Sequence, residues 1–178
     1  ISRIESGQIV LESVEFTLSR VLEDVQQMFT SAADAKDIAL TITDHTGNQS
    51  LLGDRTRVQQ ILMNLVSNAL KFTEQGEVRI RARSLGKTGE AERIELAVSD
   101  TGIGIEESHQ ATIFDKFTQA DETITRRYGG SGLGLSIAYS LARLMRGGVR
   151  VDSKPGVGST FHVVIELQVD STAAVSHA

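Results

Sequence analysis

Apolar residues recur along this chain with two periods, and the changes between them divide it into elements. Leu18, Val21, Leu22, Val25, Met28 and Phe29 recur at three- and four-residue spacings. That spacing predicts an amphipathic helix from Thr17 to about Ala35, with the Thr17 hydroxyl as its cap. Val58, Ile61, Leu62, Leu65, Val66, Ala69 and Leu70 repeat the pattern behind Asp54, which reads as the N-cap of a second long helix. A third helix is predicted from Leu133 to about Met145, ended by Gly147 and Gly148. Alternating, β-branched stretches predict strands at 8–16, 38–43, 77–84, 93–99, 149–153 and 159–167. LGKTGEAE reads as the turn joining the third and fourth of these. A short apolar piece spans Ile113–Phe117, and residues 118–131 form a polar, glycine-tipped loop too long for a simple turn.

This order predicts a two-layer α/β sandwich. A mixed, mainly antiparallel sheet of about five strands would be covered on one face by three helices. Residues 1–7 read as the end of a helix stopped at Gly7, residues 8–167 as the folded domain and residues 168–178 as a C-terminal linker. The abrupt start at Ile1 reads as a fragment of a longer chain.

Composition changes this picture little. With 178 residues, 40% apolar and 23% charged, the chain suits one aliphatic core; aromatics are only 4%, and tryptophan is absent. A net charge of −5 argues against broad nucleic-acid binding, which needs a basic face. The absence of cysteine removes disulfides, zinc thiolates and thiol nucleophiles. No apolar run is long enough for a membrane span.

Three local patterns carry chemistry. Asn64, Asn68 and Lys71 fall on one line of the second helix, because residues three and four apart are neighbours there. Amide oxygens are hard donors suited to Mg²⁺, and an ammonium suits a phosphate. SDTGIGI, residues 99–105, ends a strand. Its Asp100 could accept from an exocyclic amine, while Gly102 and Gly104 let the backbone approach a flat ligand. YGGSGLGLSI, residues 128–137, brings glycines to a helix N-terminus, where unsatisfied N–H groups and the dipole favour an anion. The GxxxxGK[ST] pattern of a P-loop is missing. Arg126 and Arg127 stand just before it and would supply local positive charge. A solvated polar stripe, a capped turn and a flexible loop are the plain alternatives for these patterns taken singly.

Taken in order, the patterns resemble a known family. N-x-x-x-N-A-x-K-F (Asn64 to Phe72), D-x-G-x-G (Asp100 to Gly104), F-x-x-F (Phe114 to Phe117) and G-x-G-L-G-L (Gly130 to Leu135) are similar to the N, G1, F and G2 boxes of sensor histidine kinases. GVGSTF, residues 156–161, looks like the last glycine box, and ISRIESGQIVLE like the junction with the second dimerisation helix. The resemblance covers Ile1 to about Leu167. It implies the Bergerat fold and an ATP-binding catalytic domain. Asn68 would ligate Mg²⁺ with support from Asn64, Lys71 would reach the phosphates, and Phe72 would pack near the base or ribose. Asp100 would read the adenine amine, joined through water by Thr160, above a floor shaped by Gly102 and Gly104. Phe114 and Phe117 would anchor a lid carrying Arg126 and Arg127. Gly130, Gly132, Leu133, Gly134 and Leu135 would bring the backbone to the triphosphate. Ser131 stands where the family often has threonine.

The same resemblance implies partners: ATP, the protein's own dimerisation and phosphotransfer helices in a homodimer, and a response-regulator receiver domain. It also implies a cytoplasmic domain whose membrane anchor, if present, lies upstream. None of His45, His109, His162 and His177 has the H-E/D-x-R-x-P context of the phosphoacceptor, which is therefore expected upstream of Ile1. Such a fragment would bind Mg-ATP without phosphorylating itself. Three other readings stay open: a degenerate nucleotide-sensing or docking module, an ATPase of the gyrase type, and an anti-sigma type serine kinase. Against the ATPase stands Asn64, at the position where those enzymes carry a glutamate that activates water.

Overall fold

The computed structural model describes residues 10–114 and 133–170. Strands β1 (Val14–Thr17), β2 (Ile38–His45), β3 (Ser50–Gly53), β4 (Gly76–Thr88), β5 (Ala91–Asp100), β6 (Gly148–Lys154) and β7 (Gly158–Val169) form one sheet. Helices are α1 (Leu18–Asp34), α2 (Arg55–Phe72), the single turn α3 (Glu107–Gln110) and α4 (Gly134–Leu144). The strand order is β1-β3-β7-β5-β4-β2, with β6 also paired to β7. Among the described strands only β2 and β4 run parallel. The expected sandwich is therefore present, with seven strands where about five were expected.

Strand parity places the core. Ile94, Leu96 and Val98 of β5 lie opposite Ile165, Val163 and Phe161 of β7, and all are buried with the apolar stripes of α1, α2 and α4. Leu18, Leu22, Ile61, Leu62, Leu65 and Leu141 have essentially no exposed surface. Burying each such side chain contributes about 1.5–3 kcal/mol.

Local signals explain most boundaries. Asp54 caps α2: its Oδ1 accepts from the Arg57 N–H at 3.0 Å, and its Oδ2 accepts from the Glu12 N–H at 3.1 Å. Thr17 stands at the N-cap of α1, but its side chain makes no capping bond, so that expectation is corrected. β1 begins at Val14, later than expected, because pairing with β3 covers only Val14–Thr17. LGKT belongs to β4 and AE to β5, leaving Gly89 and Glu90 as the two-residue turn; Gly89 has φ of +65°, which suits a tight hairpin. β7 continues through Gln168 and Val169, paired to β3, so the fold extends two residues past the expected boundary. The expected helix end at 1–7 and the tail from 171 lie outside the described residues.

Candidate nucleotide site

The site is built where the C-terminal end of α2, the loop after β5 and the β6–β7 hairpin meet. Asn64, Asn68, Lys71 and Phe72 are half-buried on α2. Asn64 faces the start of α4: a side-chain carbon on Gly134 would lie 3.8 Å from its Oδ1. Among the described residues no side chain caps α4, and the first-turn amides of a helix are suited to an anion. Among the described residues the buried Asn64 Nδ2 has no hydrogen-bond partner, and Asn68 makes no side-chain hydrogen bond. Amide oxygens that accept no hydrogen bond from the described residues fit a hard divalent cation. Lys71 is held below its ordinary pKa by burial, with Nζ 4.9 Å from the centre of the Phe72 ring.

The loop after β5 is fixed by close backbone approach. A side chain at Gly102 would meet the Phe72 carbonyl oxygen at 2.3 Å, so only glycine fits there. The Ile103 N–H donates to that same oxygen at 3.2 Å. Gly104 has φ of +71°, and an added carbon would meet the Lys154 carbonyl oxygen at 2.1 Å. The glycines of D-x-G-x-G thus let the loop pass between α2 and the β6–β7 turn.

Asp100 ends β5 on the helix-facing side. Burial raises its pKa above the ordinary aspartate value, against the opposing pull of the Gly102 and Ser159 backbone amides. Gly102 donates to its Oδ1 at 2.9 Å. A carboxylate held this way has acceptor capacity left for a ligand amine.

Thr160 does not share this environment. It lies opposite Ser99, whose Oγ accepts its hydroxyl at 2.9 Å, and successive residues of a strand face opposite sides of the sheet. Ser159 is the residue opposite Asp100. The expectation placed on Thr160 thus fits its neighbour by parity, and counting alternation back from the buried Phe161 would have found it. Ser153 and Gln110 also escaped the sequence reading. Gln110 Nε2 donates to the Ile105 carbonyl at 2.9 Å and to the Ser153 carbonyl at 3.1 Å.

Gly134 opens α4, while Leu133 and Leu135 are half-buried beside it. Phe114 stacks on Tyr139 at 5.8 Å and meets Phe161 edge-on at 6.2 Å. Phe117, Arg126, Arg127, Gly130 and Gly132 lie outside the described residues.

A helix-covered mixed sheet, an acid at a strand end against a glycine loop, and an asparagine facing the N-terminus of α4 are the features of a nucleotide-binding domain of the kinase and ATPase class. Residues 53–169 match the family described as histidine kinase-, DNA gyrase B- and HSP90-like ATPases, and the chain belongs to it. Within it, the chain is an ATP-binding catalytic domain of the sensor histidine kinase kind. The sensor histidine kinase AruS of Pseudomonas aeruginosa is 40% identical over 179 residues, which is 98% of this chain and 18% of AruS. The signal transduction histidine-protein kinase BarA of Escherichia coli K12 is 39% identical over 95% of this chain and 18% of BarA. The chain thus spans less than a fifth of these curated relatives. Full-length ShkA in complex with AMPPNP superposes with a TM-score of 0.82 at 30% identity, over 94% of this chain and 34% of that one. The catalytic domain of histidine kinase ThkA gives 0.69 at 26% identity, over 86% and 95%.

Proposed function

We propose that this domain binds Mg-ATP and, in its full-length protein, donates the γ-phosphoryl group to a histidine on a dimerisation domain that this sequence does not contain. The observation that carries the reading is the opposition of Asn64 on α2 to the N-terminus of α4, one turn before Asn68 and two before Lys71. That arrangement offers amide oxygens, an ammonium and helix N-terminal N–H groups, which suits a metal-bound triphosphate. Asp100 would accept from the adenine amine, with Ser159 beside it, and Phe72 would pack near the base or ribose. Asn68, supported by Asn64, would hold the Mg²⁺, which neutralises phosphate charge when bound. Arg126 and Arg127 would add positive charge, and Gly130 and Gly132 would bring the backbone to the triphosphate. The domain's share of the chemistry is positioning, the main demand of phosphoryl transfer. Asn64 has no basic lone pair, so ATP hydrolysis should be slow. The full protein would be a homodimer that serves a receiver domain and presents this domain to the cytoplasm.

The test is transfer in trans. The chain is mixed with γ-labelled ATP, Mg²⁺ and the dimerisation helices of its own full-length protein. Acid-labile label on the helices, lost with Asn68→Ala, is expected. ATP binding with no transfer under those conditions would replace the kinase reading with a nucleotide-sensing module.

A further inference from the structure

Ser153, a residue of β6 with no role so far, saturates its hydroxyl in a way that fixes its neighbour. Ser153, Ser159 and Asp100 form one row across β6, β7 and β5, each opposite the next and all on the helix-facing side. The Ser153 hydroxyl donates to the Gly158 carbonyl at 3.0 Å and accepts the Ile105 N–H at 2.8 Å. The Ser159 Oγ lies 2.9 Å from it. A serine hydroxyl has one proton and two lone pairs. With the proton on Gly158 and one lone pair on Ile105, Ser153 can meet Ser159 only as an acceptor. The Ser159 proton is therefore turned away from Asp100, and its oxygen offers only lone pairs on that side.

We propose that Ser153 is a positioning residue for base selection: it orients the Ser159 hydroxyl so that Asp100 and Ser159 together form an acceptor-only pair. This inference rests on the nucleotide-binding reading above. Such a pair welcomes an exocyclic amine, which brings donors, and rejects a carbonyl oxygen at the same ring position. Sites built around a specific donor discriminate strongly because the wrong analogue leaves polar groups unpaired. Gly158 is part of the device. Its φ of +135° and the closeness of the Asp100 carbonyl, 2.0 Å from where a side-chain carbon would stand, bring its own carbonyl to Ser153. Gln110, bonded to the Ile105 and Ser153 carbonyls, ties the loop to the strand from the other side.

ATP and inosine triphosphate differ at this position, amine against carbonyl, and share the triphosphate. Their affinities for the wild-type chain are compared by displacement of a fluorescent ATP analogue in Mg²⁺. Ser153→Ala frees the Ser159 hydroxyl to rotate and donate, and should contract the ATP-to-inosine preference by about tenfold. Ser153→Thr keeps the hydroxyl and should retain the wild-type preference. Ser153→Cys, with a thiol that bonds weakly, should contract the preference like alanine and serves if the alanine variant does not fold. A purely structural role would weaken both nucleotides equally, so an unchanged ratio in folded Ser153→Ala or Ser153→Cys overturns the inference. Loss of the preference in Ser153→Thr would overturn it too. Failure of the wild-type chain to bind ATP would instead remove the reading on which the inference stands.

Discussion

Asp100 carries two opposed demands within one side chain. Burial favours its neutral form and raises its pKa, while the amides of Gly102 and Ser159 favour the carboxylate. An amine donor from a ligand would add to the second side. Only the ionised group accepts fully, so ATP affinity should weaken as pH falls through the raised pKa, starting higher than for an ordinary aspartate. Titrations across the acid range on the folded chain would check this. An affinity independent of pH until the fold itself is lost would contradict it. The neighbouring Gly102 shows how closely the sequence is bound to this geometry, since its missing side chain is the space taken by the Phe72 carbonyl.

Helix α2 joins the site to the incoming chain. Its cap, Asp54, is 4% exposed and serves two amides at once, those of Arg57 in the helix and Glu12 before β1. Replacement by alanine removes the cap and leaves the Glu12 N–H without that acceptor. Asp54→Ala should cost roughly 0.5–2 kcal/mol, read as a lower denaturant midpoint. The Glu12 amide should exchange faster in the same variant. An unchanged midpoint would show that the cap is replaceable. The cap, the periodic stripes of α1 and α2 and the extent of α4 were legible in the sequence because they are local. β3 was not: SLLG has no alternation, and its strand character comes from partners on β1 and β7, distant in sequence. The ends of β4 and β5 were missed for a related reason. Turn-like glycines such as Gly86 sit at a bulge inside the hairpin and do not end the strand. In the site, motif residues were readable, and the alternation of Phe161, Val163, Ile165 and Leu167 already separates Ser159 from Thr160, whereas the pairing of Ser159 with Asp100 needs the register of β7 on β5.

Across the whole molecule the two faces of the sheet differ in chemistry. One is covered by helices and is apolar. The other carries Glu95, buried at 4% exposure, with Arg83 Nε at 2.8 Å, His162 Nδ1 at 3.5 Å and Arg150 Nη2 at 3.9 Å. Burial opposes ionisation of Glu95, but the bond and charge of Arg83, followed by His162, hold its pKa below the ordinary glutamate value. A depressed folded pKa contributes stability that is present above the unfolded value and is lost as pH falls through the folded one. Acid unfolding should therefore draw on Glu95, and Glu95→Gln should flatten the fall in melting temperature below the usual glutamate range. Identical acid limbs for the two proteins would assign that loss to other groups. No helix among the described residues is long and apolar enough to cross a membrane.

The most direct test of the account is calorimetric titration of the 178-residue chain with a non-hydrolysable ATP analogue, with and without Mg²⁺, alongside Asp100→Asn. Metal-dependent binding by the wild-type chain is expected. In the variant, the melting temperature should be retained and the affinity should fall by roughly 1–3 kcal/mol, the scale of a hydrogen bond to a charged group. A folded chain that binds no nucleotide, or an Asp100→Asn variant that binds as tightly as the wild type, would contradict it.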